Sequence, residues 1–177
     1  MHKGKRLKQI LEDHTKFLRG EEGGVRADLA GASLQRENLQ GARLGYADLR
    51  GAKLEGANLQ QASLTFADLS EANLKGADLR RADCTETKFT GANLSKAQLN
   101  GVELFRADLE GANLEGASLV ATNFRDVNVR GAKFRGANMT TTILRETNLE
   151  GVDLSGLDLS TTIMPRGWKA ATDKATK

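Results

Sequence analysis

Ala27-Asp28-Leu29-Ala30-Gly31, Ala57-Asn58-Leu59-Gln60-Gln61 and Ala112-Asn113-Leu114-Glu115-Gly116 are copies of one five-residue unit that runs without insertion from Ala27 to Met164. With the Leu taken as the centre there are twenty-eight consecutive copies. The centre is Leu in twenty-one of them; Cys84, Phe89, Phe124, Val129, Phe134, Met139 and Met164 supply the rest, so every centre is apolar. Two positions before the centre the residue is Ala in eighteen copies and otherwise mostly Thr or Val, with Glu37 and Leu157 as outliers. That position requires a small side chain.

A period of five fits neither a helix nor a straight strand. Five residues turn about 140° around an α-helix, which would scatter the leucines over its circumference. In a strand an odd period would send successive leucines to opposite faces. The chain must therefore turn once per repeat. Ala and the centre Leu, two apart, point the same way, and the two following residues, polar and often Gly, form the bend. Four bends close a square of twenty residues. Twenty-eight repeats then predict seven coils, a rod about 34 Å long at about 4.8 Å per coil. Asp or Asn precedes the centre in seventeen copies, where a short polar side chain can face outward and bond nearby backbone. Each buried Leu contributes roughly 1.5 to 3 kcal/mol, which accounts for the regularity of the inner column.

The rest of the chain divides around this array. Residues 1–26 carry seven Lys/Arg against four Asp/Glu, and residues 165–177 four against one. The array, 27–164, carries fifteen against eighteen, a net charge of −3. The overall +3 thus belongs to the ends, and the array is too balanced for a phosphate-binding stripe, so nucleic acid is not an expected partner. Leu7, Ile10, Leu11, His14, Phe17 and Leu18 fall at helical spacing and Gly20 follows as a stop, predicting an amphipathic helix within 1–26 that plugs the first coil; Gly20 to Gly24 reads as the hinge. Pro165 ends the array, and 165–177 is expected to be a polar, disordered tail; either Trp168 lies across the last coil or that coil meets its copy in a second subunit. No apolar run is long enough for a membrane span or a secretory signal, and Cys84 is the only cysteine, so a cytoplasmic, reducing location and no membrane partner are expected.

The repeat resembles the pentapeptide-repeat family, and the stretch from Ile10-Leu11-Glu12-Asp13-His14 to Ala27-Asp28-Leu29 resembles the lead-in of many bacterial members. The resemblance implies an all-β solenoid, a right-handed quadrilateral β-helix of about seven coils with an N-terminal capping α-helix. It also implies a symmetric end-to-end homodimer through the C-terminal coil. For function it is weak, because one packing solution serves many roles.

Chemistry is sparse. Both histidines, His2 and His14, lie outside the array, and His14 is expected to pack at the cap. Cys84 is a centre residue and reads as a small hydrophobe. The ladder Asp28, Asp48, Asp68 lacks the six to eight oxygens that calcium prefers. No catalytic set, cofactor or metal is expected. Arg125, Arg130, Lys133, Arg135 and Arg145 spread over three faces among Asp126 and Glu146 and read as solvated surface. Two outward groups stand out: Tyr46 and Phe66, stacked at one corner with Phe105 at the preceding bend position two coils on, and Ile143, Ile163 and Trp168 at the C-terminal end, the candidate dimer surface. The leading expectation is a non-enzymatic protein-interaction or scaffold module with an unnamed protein partner. The alternative implied by the resemblance is a DNA-mimicking binder of type II topoisomerase of the quinolone-protection type. Against it stand the near-neutral array and the lack of interrupting loops. A third is an enzyme with a site between subunits.

Overall fold

The computed structural model describes residues 6–169. It opens with the helix α1 (Leu7–Leu18) and then winds into a right-handed quadrilateral β-helix. Residues twenty apart pair in parallel, from Asp28 with Asp48 up to Asn123 with Ile143, so four repeats make one coil. We number the four faces by their first centres: Leu29, Leu34, Leu39 and Leu44. Ala and centre side chains of the inner coils are buried, and Phe89, Phe124 and Phe134 fill the larger gaps of the core. Phe124 and Phe134 meet edge to face, 6.1 Å between ring centroids.

The repeat satisfies all five of its backbone donors, as the unit around Leu59 illustrates. The Ala57 N–H donates to the Leu54 carbonyl (3.0 Å), closing a turn; Asn58 donates down to Glu37 (3.0 Å), and Leu59 and Gln61 donate up to Asp78 (2.7 Å) and Arg80 (3.0 Å). The fifth, Gln60 N–H, is taken by Oδ1 of Asn58 at 3.1 Å. The same bond recurs along the whole array: wherever Asp or Asn precedes the centre, from Asp28 through Asn113 to Asp158, its oxygen accepts the N–H two residues on. This is why those two residues dominate the column.

Each corner from Gly31 to Gly156 is a turn whose second bend residue has positive φ, as at Gly31 itself (65°), the geometry of a type II turn. Glycine suits it, yet thirteen corners carry another residue, Tyr46 (63°) and Phe66 (59°) among them, at a cost of about 1 to 2 kcal/mol each. A device absent from the sequence reading appears where Thr replaces Ala. The hydroxyls of Thr87, Thr122 and Thr142 each donate to the centre carbonyl one coil below, Leu64, Leu99 and Leu119, at 2.7, 2.7 and 2.8 Å. Thr147 does the same to Phe124. Glu37, the charged outlier, is exposed: it lies in the first coil with no coil beneath it, so its carboxylate escapes to water while its backbone stays in register.

The first coil is closed by α1. Ile10 and His14 are buried against it, and Leu7 and Leu11 pack on the core. The helix ends as Gly20 N–H bonds the Phe17 carbonyl (3.0 Å) and Glu21 N–H the Lys16 carbonyl (3.0 Å), with Gly20 at φ 67°. That left-handed stop turns the chain back on itself. Gly24 then crosses the helix so closely that a Cβ there would sit 2.4 Å from the Phe17 nitrogen.

The seventh coil is present but is joined to the sixth by fewer pairs than the other coils have between them. Ile143 pairs with Ile163 on face four, but on faces one to three the last coil makes no such pairs with the one below. Leu157 occupies the small-residue position of face three, where a side chain larger than alanine crowds the approach to the coil below. Val152 holds the same position on face two, and on face four a valine at that position is tolerated: Glu103, which follows Val102, keeps its pairs with Asp83 and Asn123. The losses on faces one and two have no separate explanation in the structure. Residues 1–5 and 170–177, which include His2 and most of the expected polar tail, lie outside the described residues.

Candidate functional site

Tyr46 and Phe66 occupy successive rungs of the corner between faces four and one. Their rings stack with centroids 4.9 Å apart and planes inclined by 5°. They remain 49% and 45% exposed, so the stack contributes little to the core. Beside it runs a shallow groove of about 340 Å³ lined by Arg26, Tyr46, Ala47, Asp48, Arg50, Phe66, Asp68 and Lys88.

The charges in this groove are not equivalent. Asp48, nearly buried, accepts Nε and Nη2 of Arg50 at 2.9 and 2.6 Å as well as the Arg50 N–H at 3.2 Å. The Arg50 guanidinium therefore holds the Asp48 carboxyl below its ordinary pKa, against the opposing effect of burial. Asp68 is tied to Ser70, whose hydroxyl and N–H reach Oδ1 at 2.6 and 3.0 Å. Arg26 and Lys88 are different: both are exposed, and among the described residues neither has an ion-pair partner. They sit at the two ends of the groove, Arg26 one rung below Tyr46 and Lys88 on the rung above Asp68.

Phe105 does not join this pair. It is half-buried in the adjoining corner column, with the guanidiniums of Arg106 and Arg125 at 4.9 and 5.3 Å from its ring centroid. Those guanidiniums are in turn held by Asp126 (3.1 Å) and Glu146 (2.9 Å). The upper corner is thus closed by ion pairs that the sequence spacing alone does not reveal. At the C-terminal end Ile143 and Ile163 are neighbouring rungs of face four, Ile163 is 41% exposed, and Trp168 is half-buried beyond the turn at Pro165.

Of the groups weighed for chemistry, Cys84 is fully buried, and burial pushes its thiol well above its ordinary pKa. His14 is also fully buried, its Nδ1 accepting the Ala27 N–H at 3.0 Å. Burial lowers its pKa, Arg26 and Arg43 add to the effect, and the Gly45 carbonyl opposes it. Among the described residues no three His, Cys, Asp or Glu side chains cluster as metal ligands would, and no helix is long and apolar enough to cross a membrane.

A family model described as pentapeptide repeats matches residues 25–61, 67–104, 103–140 and 137–164. Among curated proteins none matches the chain. Among solved structures, the chain is similar to the pentapeptide repeat protein Rfr23 from the cyanobacterium Cyanothece 51142, with 26% identity over 90% of this chain and 99% of that one and a TM-score of 0.48. It is similar to HetL, a pentapeptide repeat protein involved in heterocyst differentiation regulation from the cyanobacterium Nostoc sp. strain PCC 7120, with 30% identity over 65% and 67% of the two chains and a TM-score of 0.28. A third likeness is to trypsin-treated QnrB1, a plasmid-mediated fluoroquinolone resistance protein, with 20% identity over 72% and 64% and a TM-score of 0.40.

Proposed function

The chain belongs to the pentapeptide-repeat family, and from that premise we propose that it is a non-enzymatic interaction module whose Tyr46/Phe66 corner docks a protein partner. One observation carries the reading. Two large aromatic rings stack half-exposed on successive rungs, and the core gains little in return. Large aromatic side chains grouped at a surface without a packing return are a mark of a binding role. The exposed Ile163 on the last coil, which pairs with the coil below on one face only, supports a second contact, with another copy of the chain, so that two rods would meet end to end.

The test is capture of partners by the wild-type chain and by the Tyr46→Ser, Phe66→Ser double variant, followed by mass spectrometry. The variant should keep its circular dichroism spectrum and lose the specific partner. Identical capture by both would end the proposal. Light scattering across micromolar concentrations, with Ile163→Arg as control, tests the end-to-end contact; a wild-type mass that stays monomeric throughout removes it.

A further inference from the structure

The groove beside the aromatic stack has a charge pattern that selects a partner, and this inference rests on the docking role of that corner. Tyr46 and Phe66 lie in successive coils with parallel rings, so the stack presents ring edges to solvent. Ring edges carry the positive part of the aromatic quadrupole and favour apolar or anionic neighbours. Of the three cations in the groove, Arg50 is committed to Asp48. Arg26 and Lys88 are left at the two ends, three coils apart, about 14 Å along the rod axis. Between them Asp48 and Asp68 make the middle unfavourable for a third carboxylate.

An extended peptide advances about 3.3 to 3.4 Å per residue, and residues i, i+2 and i+4 share one side. Side chains at i and i+4 are therefore about 13 to 14 Å apart, which matches the separation of the two cations. We propose that the groove binds an extended acidic segment that carries carboxylates four residues apart, with an apolar side chain midway. The carboxylates reach Arg26 and Lys88, and the apolar side chain rests on the Tyr46/Phe66 stack. The segment runs along the rod axis, across the coils, so recognition is by side chains and not by adding a strand.

Fluorescence anisotropy with labelled synthetic peptides tests this. The probe carries two glutamates four residues apart with a leucine midway; the controls replace the glutamates by lysine, move them to a spacing of two, or replace the leucine by serine. The probe should bind at least about tenfold tighter than each control, weaken with salt, and lose about tenfold on Arg26→Glu or Lys88→Glu, both exposed positions. Equal binding of probe and lysine control, or indifference to both charge reversals, overturns the acidic assignment. An oligothymidine that binds with the same dependence on those variants also overturns it, in favour of a nucleic-acid site. The docking role is read separately: a leucine peptide without charges that binds wild type, ignores the charge reversals and is lost in the Tyr46→Ser, Phe66→Ser variant would keep the corner and reject only the acidic partner.

Discussion

Acidification should loosen the N-terminal cap through His14. In the native chain its Nδ1 accepts the Ala27 N–H at 3.0 Å, the ring is fully buried against Phe17, and two arginines, Arg26 and Arg43, bear on it. A proton on Nδ1 would remove the acceptor and place a cation in a dry site near two others. The native pKa is accordingly lowered from 6.5. Above pH 6.5 both folded and unfolded chains hold a neutral imidazole, and the cap has its full stability. As pH falls below 6.5 the unfolded state takes up a proton that the native state refuses, and stability declines until the depressed native pKa is reached. The loss is steepest while the native ring stays neutral, where it has a ceiling of about 1.4 kcal/mol per pH unit. Hydrogen exchange at the Ala27 amide, read at about pH 7.5 and 5.5, reports the cap directly, since solenoid ends open independently of the middle. A His14→Gln variant keeps an acceptor but does not titrate, and it cancels the intrinsic pH dependence of exchange. The wild type should lose protection relative to the variant over that interval, by up to about tenfold. Parallel behaviour of the two proteins would refute the assignment.

Two further expectations concern the backbone. Asn113→Ala removes the acceptor of the Glu115 N–H and should cost about 1 kcal/mol by thermal or urea melting, with no change in the circular dichroism spectrum; an unchanged melting curve would mean that water replaces the side chain at no cost. Leu157→Ala should let the last coil settle onto the one below, protecting the Gly136 and Met139 amides about tenfold against hydrogen exchange. Unaltered exchange at those amides would show that crowding is not what holds the coils apart.

The fold is legible in the sequence because its rule is local: a small residue, a polar one, an apolar centre and a two-residue bend recur without a break. Even the exceptions carry meaning. Leu157, an outlier in the small-residue column, marks the coil that fails to pair, and Glu37 marks the coil with nothing beneath it. The site is only half legible. A spacing of twenty brings Tyr46 onto Phe66, but the spacing cannot say that Arg106 and Arg125 fold over Phe105 or that Arg50 is consumed by Asp48, because long side chains choose partners across columns. The sequence places His14 on a helix but is silent about its bond to Ala27, which depends on where the hinge returns the chain.

The seam below the last coil has a mechanical meaning. A pull along the rod axis loads the hydrogen bonds between neighbouring coils, and coils connected on all four faces share that load. The final coil keeps its backbone pairing on one face alone, at Ile143 and Ile163, with single bonds from the Thr147 and Thr162 hydroxyls added to it, so under tension the rod would yield there first. Peeling those twenty residues would lengthen the chain by about 65 Å while the six coils beneath keep their shape, leaving the aromatic corner near the other end undisturbed.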